Sequence, residues 1–211
     1  MEEKTEYVYL LGAEGTDKVK VGRTRGAIDA RVAQLQTGNP FRIVERSHIA
    51  TLYASKVESY LHALLAGFRG ETGEWFEVPD DVLEDKLNMA QAYAAHLDET
   101  SGEILALAQG SVDDRDEQPN DDDKKLHLEL LDLYAESKRI QIEIEKREDA
   151  LKLRVRTASA LGAIASWKPV ETTRLDQQRL KQERPELFSE FSSVTRSRRF
   201  VVNRNIEDQP R

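Results

Sequence analysis

The sequence predicts an α+β fold: a small domain with a short mixed sheet and flanking helices, followed by a mainly α-helical C-terminal module. Three observations carry this. Short strand-like runs punctuated by Gly, Asp and Pro fill the first 78 residues, and apolar residues recur at helical spacing from Lys124 to Arg156. Between them, a stretch dominated by Asp and Glu offers almost nothing to bury.

Tyr7 to Leu11 reads as a strand, Gly12 to Lys18 as a hairpin loop rich in Gly and Asp, and Val19 to Gly22 as a second strand. Ile28, Val32 and Leu35 mark a helix from Ala27 to Gln36, stopped by Thr37-Gly38-Asn39-Pro40. Phe41 to Leu52 has strand character. Ser55 is expected to cap a helix carrying Val57, Tyr60, Leu61, Leu64, Leu65 and Phe68. Gly73-Glu74-Trp75-Phe76-Glu77-Val78 is a last short strand before a helix that starts at Pro79-Asp80 and runs to about His96. From Lys124 to Arg156, Leu126, Leu130, Leu133, Ile140, Ile144, Leu151 and Val155 predict one long amphipathic helix or a helical hairpin, with an implied partner surface. A short helix with Leu175 and Leu180, then Arg184-Pro185-Glu186-Leu187-Phe188, lead to a basic aromatic close, Arg196-Ser197-Arg198-Arg199-Phe200. The expected organisation is a domain over 1–97, an acidic flexible linker over 98–123 and a helical module over 124–211.

The 211 residues contain no cysteine, which removes disulfides, thiolate nucleophiles and cysteine-ligated zinc. No apolar run approaches the roughly 20 residues of a bilayer span, so a soluble, cytoplasmic protein with no membrane partner is expected. The net charge of -8 conceals an uneven distribution: residues 18–69 sum to +6, 98–123 to -9 and 124–211 to +5. A basic stretch within the first domain and a mildly basic C-terminal module therefore flank an acidic spacer; the overall sign argues against a nucleic-acid binder that works by bulk attraction, and the pattern matters more than the sum.

Among candidate functional residues, Arg31 lies one helical turn from both Ile28 and Leu35, beside the apolar stripe, where a guanidinium can grip a phosphate bidentately. Arg23 and Arg25, in the turn after the second strand, could add phosphate contacts. Glu58 and His62 are four apart and share a helix face; the carboxylate suits a hard cation, and the imidazole suits coordination or proton transfer. Tyr7 and Tyr9 are assigned to opposite faces, one in the site and the other in the packing. Trp75 and Phe76 read as core, and Glu74 as a surface charge or a site residue.

In order along the chain, Tyr7-Val8-Tyr9, Val19-Lys20-Val21-Gly22-Arg23-Thr24, Arg31 followed by Leu35 to Pro40, Glu58 with Leu61-His62, and Gly73-Glu74-Trp75-Phe76 resemble the GIY-YIG nuclease superfamily. The resemblance is to its divergent phage Orf-type and meiotically up-regulated-type branch, over residues 6–78. It implies a metal-dependent DNA endonuclease in phage or prophage recombination or repair, with Mg²⁺ or Mn²⁺ held by Glu58, Arg31 engaging the scissile phosphate and Tyr9 matching the first tyrosine. At Lys20 the superfamily has a tyrosine often assigned as general base. Tyr9, His62 or Lys20 itself could take that role, or the domain could bind DNA or recruit a partner without cutting. The C-terminal region resembles the tail of YqaJ-type phage recombinases, without the YqaJ nuclease core. That resemblance implies contacts to DNA through Trp167, Lys168, Arg174, Arg198 and Arg199, or to a recombination or host protein. The long helix over 124–156 adds the expectation of a homodimer.

Overall fold

The computed structural model describes residues 5–70, 74–111, 113, 115–194 and 198–204. Gly73, Arg196 and Ser197, quoted above within motifs, lie outside the described residues. The fold is α+β, with two compact units, 1–111 and 112–211.

The first unit is built on a four-stranded antiparallel sheet in the order β3-β1-β2-β4, from β1 (Glu6–Ala13), β2 (Lys18–Thr24), β3 (Ile43–Thr51) and β4 (Trp75–Glu77). The period of two divides its side chains between faces. Val8, Leu10, Val19, Val21, Ile49 and Phe76 face one way, and pack with Val57 and Leu61 of α2 (Ala54–Leu64) and Leu83, Ala90, Ala94 and Leu97 of α3 (Asp80–Gln109). Tyr9, Leu11, Ala13 and Ile43 face the other way, beneath Ile28, Val32 and Leu35 of α1 (Ile28–Gln36). Each fully buried Val, Leu or Phe in such a layer stabilises the fold by about 1.5–3 kcal/mol.

The expected elements are present, with shifted ends. Gly38, at φ 80°, follows the C-cap of α1 in the left-handed region that glycine adopts without strain. Ser55 lies inside α2 and is not its cap: the N-cap is Tyr53, with no side-chain bond, and a single 3₁₀ turn (Ala66–Phe68) replaces the expected last turn. Tyr7 and Tyr9 are not on opposite faces. Being two apart they leave β1 on the same side, opposite Thr24 and Gly22 of β2. What separates them is position: Tyr9 is buried, while half-buried Tyr7 meets the edge of the His48 ring at 5.6 Å.

α3 continues past His96 to Gln109 and α4 (Asp121–Val155) begins before Lys124, so helices enter both ends of the stretch expected as a flexible linker. Leu97 is buried and Asp98 accepts from Thr51 Oγ1 (2.9 Å) and Leu52 N (3.1 Å), which docks the helix at the point where it was expected to stop. Strong helix formers from Glu103 to Gln109 then prolong it. At α4, Asn120 and Asp123 form a capping box, each side chain accepting from the other's backbone N–H.

The second unit is led by α4, a single helix of 35 residues and not a hairpin. Its end is covered by a two-stranded hairpin, β5 (Ala160–Leu161) and β6 (Ala165–Ser166), which the sequence reading did not foresee, near buried Val155. Two short helices follow, α5 (Gln177–Glu183) and α6 (Pro185–Glu190), so Leu175 precedes its expected helix. Among the described residues no helix is long and apolar enough to cross a membrane.

Candidate functional site

Tyr9 reaches the site because Gly22 lies directly opposite it on β2. The tyrosine ring crosses the space that a side chain at position 22 would fill: a β-carbon there would meet Cζ at 2.6 Å and lie closer still to the hydroxyl. The hydroxyl accepts a hydrogen bond from Arg31 Nε on α1 at 3.1 Å, and Arg31 Nη1 donates to Gln34 Oε1 at 3.0 Å. Among the described residues the remaining guanidinium donors have no acceptor, which leaves part of the fork available to an anion. The Tyr9 hydroxyl bond, with the charge of Glu74 adding to it, holds the Arg31 pKa above its ordinary value, so the group is a permanent cation.

Lys20 lies across from both Leu11 of β1 and Trp75 of β4, which places it on the same face as Tyr9. It is buried, and its Nζ is 2.5 Å from Glu74 Oε2. The Lys20 hydrogen bond and charge hold the Glu74 carboxyl below its ordinary pKa of 4.5, with smaller contributions in the same direction from His62 and Arg31. Glu74 thus bonds Lys20 and feels the charges of His62 and Arg31 more weakly. From its sequence context Glu74 reads as a surface charge or a site residue, because nothing in local spacing reveals a partner 54 residues away.

His62 is half-buried on α2, edge-on to the Phe76 ring at 5.3 Å. Glu58, one turn earlier, accepts from Arg23 Nε at 2.9 Å, and Arg23 also approaches Glu6 at 3.8 Å. Arg25 pairs with Glu6 at 2.6 Å. The two arginines expected to touch phosphate therefore each carry carboxylate partners. α2 packs on the sheet face opposite Tyr9 and Arg31, so the structure joins Tyr9 to Arg31 directly and leaves His62 against Phe76 on the other face. Glu58 is held in a neighbouring ion-pair group with Arg23 and Glu6.

In the second unit, Trp167 and Lys168 line a shallow cavity with Arg156, Ser159 and Pro169, and Trp167 N donates to Ser159 O at 3.0 Å. Arg174, Arg198 and Arg199 lie on exposed non-helical backbone and do not line the cavities beside Trp167.

This arrangement, with a tyrosine and an arginine joined across a hairpin and a helix, is accompanied by a family likeness. Residues 6–91 match the T5orf172 domain. It is a domain found in GIY-YIG-like, endonuclease-related proteins, and here it spans all four strands and the first turns of α3. Searches of curated proteins and of solved structures each return no match. The T5orf172 match stops short of the second unit, and the likeness to a YqaJ tail gains no support.

Proposed function

We propose that the T5orf172-matched unit is a divalent-metal-dependent DNA endonuclease that hydrolyses phosphodiester bonds. The observation that carries this reading is the Arg31 guanidinium, held by the Tyr9 hydroxyl with donors to spare beside the Lys20–Glu74 pair. Arg31 binds the scissile phosphate and stabilises the charge that develops on its oxygens. Lys20 adds positive potential but is committed to Glu74, so water is positioned by the Tyr9 hydroxyl or by His62. A role in phage or prophage recombination or repair rests on the N-terminal resemblance alone.

The donor set for a metal is sparse. Among the described residues no group of three His, Asp or Glu side chains is arranged to hold one. Glu58 retains one carboxylate oxygen outside its Arg23 bond, which fits an ion such as Mg²⁺ or Mn²⁺ whose other ligands are waters and substrate phosphate oxygens. When bound, the ion would supply charge neutralisation at a DNA phosphate.

The Glu58–Arg23 pair also favours a second reading, a DNA-binding or partner-recruiting domain that does not cut. Plasmid nicking by the purified protein in Mg²⁺, Mn²⁺ and EDTA separates the two. Metal-dependent nicking that disappears in Arg31→Ala and Glu58→Ala, with the far-ultraviolet spectrum retained, supports hydrolysis; wild-type rates in either variant refute the assignment. Binding without nicking in any metal establishes the second reading.

A further inference from the structure

On the sheet face that carries Tyr9 lies a groove of about 340 Å³, lined by Lys18, Thr37, Asn39, Phe41 and Trp75 among others. Its volume is at the small end of ligand pockets, which run from about 300 to 1,000 Å³. The loop after α1 that forms one wall is held by its own polar side chains. Gln36 Nε2 donates to Asn39 O (3.3 Å) and Phe41 O (3.0 Å), Gln36 Oε1 accepts from Ile43 N (2.8 Å), and Asn39 Oδ1 accepts from Phe41 N (3.0 Å). Four bonds thus fix a loop whose one large apolar side chain, Phe41, remains 47% exposed. Trp75, the cross-strand partner of Lys20 and the neighbour of Glu74, also lines the groove.

The geometry points to this groove as the seat of an unpaired nucleobase of a DNA strand whose phosphate lies at Arg31. The inference rests on the proposed phosphodiester site and names its substrate class: DNA with an unpaired nucleotide beside the phosphate. Two aromatic walls offer stacking, which tolerates any base. Thr37 and Asn39 offer hydrogen-bonding groups to a base edge, and Lys18, paired with Glu77 at 3.4 Å, lies on the same rim for a flanking phosphate. A paired base has its faces covered by its neighbours and does not enter so small a groove, whereas a single-stranded or extruded base does. A peptide side chain would also find apolar walls, but Lys18 lines the groove, and Lys20 and Arg31 lie on the same face of the sheet.

The test uses the full chain in EDTA, with fluorescence anisotropy of labelled oligothymidylate and of a fully paired duplex of equal length. Phe41 is exposed, so Phe41→Ala leaves the core intact. Its affinity for oligothymidylate should fall roughly 5- to 150-fold, the loss of one stacked base, and the ratio of single-strand to duplex affinity should fall with it. Phe41→Trp should keep the wild-type ratio. An unchanged ratio in Phe41→Ala, or an equal loss on both DNAs, overturns the base seat. Nicking in Mg²⁺ by the wild type is scored separately: a selective Phe41 effect without nicking keeps the groove and removes the hydrolysis, and nicking with no Phe41 effect does the reverse.

Discussion

Replacing Gly22 by alanine should damage both the fold and the site, because the space above Gly22 belongs to Tyr9. An added β-carbon would lie 2.6 Å from Tyr9 Cζ and 2.8 Å from Cε2, where carbon atoms pack at about 3.5–4.0 Å, so the ring must retreat by roughly 1 Å. Tyr9 is only 1% exposed and is packed with Leu11 and Ile43, so the retreat meets a filled core. Such overpacking costs about 1–3 kcal/mol. The 3.1 Å bond from Arg31 to the hydroxyl lengthens as well. For a partly exposed arginine its loss costs about 1 kcal/mol, giving a total of about 2–4 kcal/mol. If Tyr9 and Arg31 act together on a phosphate, a displacement of this size lowers nicking about 100-fold. Denaturant titration of the full chain and a nicking assay read the two effects. In Tyr9→Phe the hydroxyl is already gone, so Gly22→Ala should cost less there, with a coupling of about 0.5–3 kcal/mol. Wild-type stability of Gly22→Ala, or strict additivity with Tyr9→Phe, would refute the reasoning.

Three further outcomes are expected. Glu74 has its folded pKa below 4.5, so its contribution to stability is full above that value and is lost as pH falls through the lower folded one. With Glu74 61% exposed the contribution stays below about 1 kcal/mol, and Glu74→Gln should flatten the acid limb of stability against pH; an unaltered limb removes the pair from the account. Tyr9→Phe should lower nicking more than Tyr7→Phe, since Tyr9 bonds Arg31 while Tyr7 meets His48; the reverse order would place the site on the other tyrosine. On α4, Leu126, Leu133 and Ile140 recur every seven residues and are 65%, 66% and 52% exposed, so the full chain should self-associate through this stripe and Leu133→Lys should weaken it in sedimentation; a monomeric wild type ends the homodimer proposal.

The elements of the first unit were legible because the signals that make them are local. The apolar and aromatic run from Tyr7 to Leu11, the 3.6-residue spacing of Ile28, Val32 and Leu35, and the stop at Thr37 to Pro40 each act within one turn or strand. Arg31 beside the apolar stripe of α1 was legible for the same reason. Helix ends were less so. The docking of Asp98 on Thr51 and Leu52 carries α3 past its expected end, and that contact exists only once the helix lies on the sheet.

What the sequence by itself determined is which residues share a face of their own helix or strand, because backbone period and short-range sterics fix that before any packing occurs. The tertiary structure decided which faces meet. Antiparallel register sets Tyr9 over Gly22 and Lys20 beside Trp75, bringing Glu74 to Lys20 across 54 residues. Packing of α2 on the far side of the sheet gives Glu58 to Arg23 instead of to Arg31. Those pairings depend on register and layer order, to which residues scattered along the chain contribute jointly, and no window of sequence contains them.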